Sequence, residues 1–139
     1  MIAFFEETPF KFPFKKNAVK QWVKLLLEKE SKKVGNINYI FCDDAYLHNI
    51  NVTYLQHDTL TDIITFDYNE GEVVHSDIYI SVERVRENAG IFGVNFEDEL
   101  LRVLAHGLLH LCGYKDKTEA DSAMMRTKEE EAMKLYNDK

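Results

Sequence analysis

At 139 residues with 45% hydrophobic residues, the chain has the length of one domain and the apolar content for a core, and two prolines and six glycines argue against disorder. Its formal net charge of −7 repels a polyanion at long range and weighs against a nucleic-acid partner without excluding one. Two cysteines, no signal peptide and no apolar run long enough to span a bilayer point to a cytoplasmic chain with both thiols reduced and no membrane partner.

Ile2 to Glu6 reads as a short strand, followed by a helix over 15–33 with Val19, Trp22, Val23, Leu26 and Leu27 toward the core. On the other side of that helix Lys16, Lys20 and Lys24 repeat every four residues, a basic stripe that is either a solvated face or a contact for phosphates. Ile37 to Cys42 is an apolar strand. Asp43 or Asp44 can cap a helix through Tyr46, Leu47, Ile50 and Tyr54, and residues 58–60 read as a loop. Thr61 to Phe66 is β-branched and aromatic, hence a strand, and residues 67–72 turn the chain into a strand from Val74 to Ser81. His48 and His75, on the second helix and at the start of the last strand, read as surface or packing residues. A helix over 82–88 comes next, then one capped by Asn95, then a last helix over 119–136 whose Lys128-Glu-Glu-Glu131 run reads as its wet face. Without repeats or linkers this is one domain spanning 1–139. Interleaved strands and helices early, with helices dominating late, make the class α+β or mixed α/β.

The stretch that carries chemistry is His106-Gly-Leu-Leu-His110-Leu-Cys-Gly113-Tyr-Lys-Asp116. On a helix, residues four apart share a face about 6 Å apart along the axis, so His106 and His110 can aim at one ion. Gly113 can take the left-handed conformation that ends the helix, which lets Asp116 approach the same ion. Three protein ligands leave a coordination position open, as catalytic metal sites do. The preceding Asn95-Phe-Glu97-Asp98-Glu99 offers a cap and acids for the first turn, and Leu100, Val103, Leu104, Leu108 and Leu111 give the helix a wide buried face. Cys112, two residues past His110, is turned about 200° from the ion and should face the packing side. Gly107 stands where H-E-x-x-H zinc proteases carry their general base, so peptide hydrolysis is the weaker reading.

Together with Asn51-x-x-Tyr54, Thr61-Asp62-Ile-Ile-Thr-Phe66 and Ser76-Asp77-Ile78-Tyr-Ile80-Ser81, the run His106-Gly-x-Leu-His110-Leu-x-Gly113-Tyr114 resembles the YbeY family of bacterial metal-dependent endoribonucleases. The resemblance covers most of the chain. It implies an α+β single domain with a mixed β-sheet of about four strands flanked by helices. It also implies a zincin-like site on a buried helix holding one zinc ion per chain, and a single-strand-specific endoribonuclease acting in ribosomal RNA (16S 3′ end) maturation and ribosome assembly. Its partners would be single-stranded RNA, ribosomal RNA and the ribosome, with ribosomal proteins or assembly factors as further candidates. His106 and His110 would be both ligands and catalytic residues. Asp62 and Asp77 fall on motif positions; Asp62 is open between a catalytic and a structural role, and Asp77 reads as structural.

Two positions depart from the family pattern. Asp116 stands where the family usually has a third histidine; a carboxylate can bind zinc, but it lowers the charge on the centre and favours harder metals such as manganese or iron. Leu55 stands where an arginine thought to help with phosphate commonly follows Tyr54, and His57, two residues on, is either its replacement in phosphate binding or proton transfer, or an ordinary loop histidine. Three functions follow: a metal-dependent endoribonuclease in which metal and water promote phosphodiester cleavage, a metallohydrolase on another substrate such as peptide, and a ribosome-associated binding protein with a structural metal and weak catalysis.

Overall fold

The computed structural model describes residues 1–55 and 61–138. Among the described residues, five helices and a four-stranded sheet follow in the order β1 (Ile2–Glu6), α1 (Lys16–Lys29), β2 (Lys33–Cys42), α2 (Asp44–Leu55), β3 (Ile63–Asp67), β4 (Val73–Ser81), α3 (Val82–Phe92), α4 (Phe96–Leu111) and α5 (Glu119–Asn137). The sheet order is β1-β2-β4-β3: β2 pairs in parallel with both β1 and β4, and β3 returns antiparallel along β4 as an edge strand. This is the expected α+β architecture with a mixed sheet of four strands.

Alternation along the strands sends side chains to two different cores. Ile37, Tyr39 and Phe41 of β2 and Val74, Ile78 and Ile80 of β4 join α1, α4 and α5 in the main core, with Tyr39 opposite Ile78 and Phe41 opposite Ile80 in the register. The opposite face of the sheet carries a smaller cluster of Cys42, Leu47, Ile50 and Ile64 under α2. Trp22, fully buried, donates its indole N–H to the Ala132 carbonyl at 2.8 Å, which fastens α1 to α5 without leaving a buried donor unpaired. The phenylalanines of the segment after β1, Phe10, Phe12 and Phe14, pack on the rim of the same core.

The first helix ends at Lys29, four residues before the expected boundary, because Ser31 takes a positive φ of 60° and Lys33 N–H already bonds the Glu72 carbonyl as the first rung of β2. Lys33 and Val34 pair with Val73 and Val74 ahead of a register shift before Ile37, an irregularity that apolar periodicity does not encode. Likewise α3 runs to Phe92, where Gly93 caps it in the left-handed conformation.

Helix α4 lies against β3 and β4 at Gly107, where a Cβ would stand 2.9 Å from Ile63 Cδ1, 3.4 Å from Thr65 Cγ2 and 3.6 Å from Ile78 Cγ2. Gly107, directly after His106, therefore lets the helix lie close on the sheet. Gly107→Val overfills this contact, so a loss of about 1–3 kcal/mol in unfolding free energy is expected from chemical denaturation; wild-type stability would show that the contact yields.

Candidate metal centre

Asn95 caps α4 as expected, its side chain accepting from Asp98 N–H at 2.8 Å, with Glu97, Asp98 and Glu99 in the first turn. At the other end Gly113 has φ 106°, and two bonds close the helix: Gly113 N–H to the His110 carbonyl at 3.0 Å and Tyr114 N–H to the Leu109 carbonyl at 3.1 Å. That pair is a Schellman motif, which only a left-handed residue permits. It reverses the chain, Tyr114 anchors it by donating to Glu30 Oε1 at 2.8 Å, and Asp116 comes back over the histidines. Asn69, in the β3–β4 turn, donates to the Leu111 carbonyl at 2.9 Å and ties the hairpin to the same helix end.

His106, His110 and Asp116 meet. Their ligand atoms lie within 4.8 Å of one another, with His106 Nε2 3.4 Å and His110 Nε2 3.8 Å from the two Asp116 oxygens. Ligands about 2.0–2.2 Å from a tetrahedral ion stand roughly 3.3–3.6 Å apart, so the donor set has the spacing and the N,N,O chemistry for one divalent ion. The two imidazoles are nearly perpendicular, with centroids 5.0 Å apart.

A residue that sequence reasoning assigned to solvent completes the group. Glu129, within the run read as a wet helix face, is buried, and its Oε2 lies 2.6 Å from His106 Nδ1 while Oε1 accepts from Arg102 Nη1 at 3.2 Å. Placing the Nδ1 proton toward Glu129 leaves Nε2 of His106 for a ligand, the arrangement that orients metal-binding histidines. Glu99 is also buried, 3.8 Å from Arg102 Nε through an Oε1 that makes no hydrogen bond among the described residues. For Glu99 and Arg102 a signal was present: Glu99, Arg102, His106 and His110 recur at three- and four-residue intervals, a polar stripe on an otherwise apolar helix.

These groups line a cleft of about 500 Å³ with Asn51, Leu55 and Asp62, whose one described cation other than histidine is Arg102. Burial pushes the Asp62 carboxyl above its ordinary pKa against the opposing pull of His106 and its own backbone amide. Burial does the same at Glu99, opposed by Arg102 and reinforced by the charges of Asp62 and Glu129. At His106 burial works against the imidazolium, yet the hydrogen bond and charge of Glu129, with Asp116 and Asp62, more than offset it and hold the pKa above the ordinary 6.5.

Residues 5–137 match the family model described as endoribonuclease YbeY. Curated proteins named endoribonuclease YbeY from Flavobacterium johnsoniae and Christiangramia forsetii are 55% and 51% identical, over 99% and 98% of this chain and 98% and 94% of theirs. The chain belongs to the endoribonuclease YbeY family. A solved structure from Thermotoga maritima shares the fold, with a TM-score of 0.68 and 28% identity over 98% of this chain and 89% of that one.

In this YbeY-family chain Leu55 does line the cleft, and His57 lies outside the described residues. Asp77 accepts from Asn38 Nδ2 at 3.0 Å, bridging β2 and β4. His75 accepts from Asn36 N–H at 2.9 Å, a packing role. Cys112 packs against the main core, where burial raises its thiol to about 11, and Cys42 is buried at the end of β2; both are free. The lysine stripe of α1 is exposed and adds no residue to the cleft. No described helix is long and apolar enough to cross a membrane.

Two outcomes test the centre. Glu129→Gln keeps the shape but removes the charge on His106, so divalent-metal affinity measured by competition with a chromophoric chelator should fall about 10–100-fold; unchanged affinity would make Glu129 merely structural. Because the folded pKa of His106 is raised, its protonation stabilises the metal-free fold below the unfolded value of 6.5, and that contribution is lost as pH rises through the folded value. A metal competes for the same Nε2, so its affinity should climb over that upper interval. Proton NMR titration of metal-free protein should place His106 above an exposed histidine, and Glu129→Gln should pull it down.

Proposed function

We propose that this chain is a metal-dependent endoribonuclease that cuts single-stranded RNA in ribosomal RNA maturation, with zinc as its ion. The observation that supports this most is the His106, His110 and Asp116 cluster, oriented by a buried glutamate and opening onto a cleft of about 500 Å³. His106 Nε2, His110 Nε2 and an Asp116 oxygen would hold the ion. When bound, it supplies Lewis-acid chemistry, lowering the pKa of a water and neutralising charge that develops on a phosphodiester.

The chain's own groups divide the remaining work. Glu129 fixes the tautomer and tilt of His106. Arg102 keeps Glu129 in place and brings positive charge to a cleft whose position 55 is leucine. Asp62, whose carboxyl burial holds above its ordinary pKa against the pull of His106, is suited to carry a proton between water and the leaving oxygen. The peptide-cleaving alternative loses support at Gly107, which stands where H-E-x-x-H proteases carry their general base.

Purified protein loaded with zinc should cut single-stranded RNA and spare duplex, and a chelator should abolish the cutting. Asp116→Ala should reduce bound metal, read by mass spectrometry, and activity together. RNA left intact, or cutting indifferent to chelator, would overturn the proposal; metal content indifferent to Asp116→Ala would remove Asp116 from the ligand set.

A further inference from the structure

On the other face of edge strand β3 lies a second cleft of about 450 Å³, within the roughly 300–1,000 Å³ of small-ligand sites. Its lining is aromatic: Tyr46, Tyr54, Phe66, Tyr68 and Tyr79, with the Asn49 amide among them. Phe66 and Tyr79 form a floor, edge to face at 5.8 Å and packed on the small cluster under α2. Tyr46 lies parallel to Tyr79 at 6.3 Å and Tyr54 stands edge-on to Phe66 at 6.2 Å. The walls stay open, with Tyr46 40%, Tyr54 69% and Tyr68 54% exposed.

We propose that this cleft is a nucleobase-binding subsite, stacking bases of the single strand whose phosphodiester enters the metal cleft. The inference rests on the endoribonuclease reading. Two observations carry it beyond that reading. The clefts adjoin along shared elements: on α2, Asn51 and Leu55 line the metal cleft while Ile50 and Tyr54, one position back, line the aromatic one, and on β3 Ile64 lines the first and Phe66 the second. A strand leaving the metal cleft over this edge meets the tyrosines next. Charge supplies the second argument. The chain carries −7 overall, the metal cleft is rich in carboxylates, and the α1 lysines contribute to neither cleft. Among the described residues Arg102 is the one lysine or arginine lining either cleft, and the aromatic cleft carries no charged side chain. Stacking on uncharged rings tolerates any base and is not opposed by the carboxylates, and Asn49 can donate to or accept from a base edge.

The test uses full-length, zinc-loaded protein and a fluorescent single-stranded 2′-O-methyl oligoribonucleotide, with an abasic version of the same backbone as the second probe. Fluorescence anisotropy should show Tyr54→Ala and Tyr68→Ala each weakening the base-bearing probe at least about fivefold, by the same factor at low and high salt. Tyr54→Phe and Tyr68→Phe, which keep the ring, should retain binding, and the abasic probe should not distinguish any of them from wild type. Alanine variants that bind the base-bearing probe like wild type, with unchanged metal content and melting, would overturn the subsite and leave the cleft to a protein partner. A loss that vanishes in high salt would also overturn it. Failure of the endoribonuclease reading is separate: wild type that leaves RNA uncut removes that reading whatever the tyrosines bind, while wild type that cuts RNA with tyrosine variants binding normally removes only the subsite.

Discussion

The hydrogen bond between Glu129 and His106, 2.6 Å long and largely out of solvent, is the contact on which the rest of the centre depends. A buried carboxylate is costly unless it is paired, and Glu129 has two partners: the imidazole on one oxygen and Arg102 on the other. Both partners sit on α4, one turn apart, so the pairing holds only when α5 crosses α4 at this level. The Trp22 bond to Ala132, one turn along α5, holds α5 at the same height from the α1 side. Pairing of buried charge thus positions a helix, and the helix in turn fixes the orientation of the His106 ring.

Backbone geometry at the helix end has a similar reach. The Schellman closure at Gly113 returns the chain over its own last turn, and Tyr114 bonds Glu30 of the segment after α1. Asp116 is therefore presented by a short, anchored loop, so a carboxylate drawn from outside the helix can still sit 3.4 Å from His106. The same turn is stabilised from the sheet side by Asn69. The segment after α1 and the β3–β4 turn thus hold the end of α4, while the cleft is walled by α2, β3, α4 and α5 with Asp62 and Asp116.

The electrostatics of that cleft pull in two directions. Carboxylates at 62, 99, 116 and 129 suit a cation, and burial first, then the neighbouring charge of Glu129, holds Asp62 and Glu99 above their ordinary pKa values. They also repel a polyanionic substrate until a divalent ion compensates. The site's chemistry and its tolerance for phosphate are thus coupled to metal occupancy through the same acidic residues.

Much of this was legible in the chain itself. The 3.6-residue spacing of Leu100, Val103, Leu104, Leu108 and Leu111 defines a buried helix, the four-residue interval of His106 and His110 puts both rings on one side, and Gly113 marks where the chain must reverse, because each of these is a local geometric requirement. Motif order was enough for the family and the mixed sheet. Glu129 was misread as solvent-facing, since its neighbours Lys128, Glu130 and Glu131 are charged and only the crossing of α5 over α4, set by contacts more than twenty residues apart, reveals which of them points inward. The bulged start of β2 and the aromatic cleft astride β3 were invisible for the same reason: both arise from pairing between distant segments, in registers that no single segment encodes.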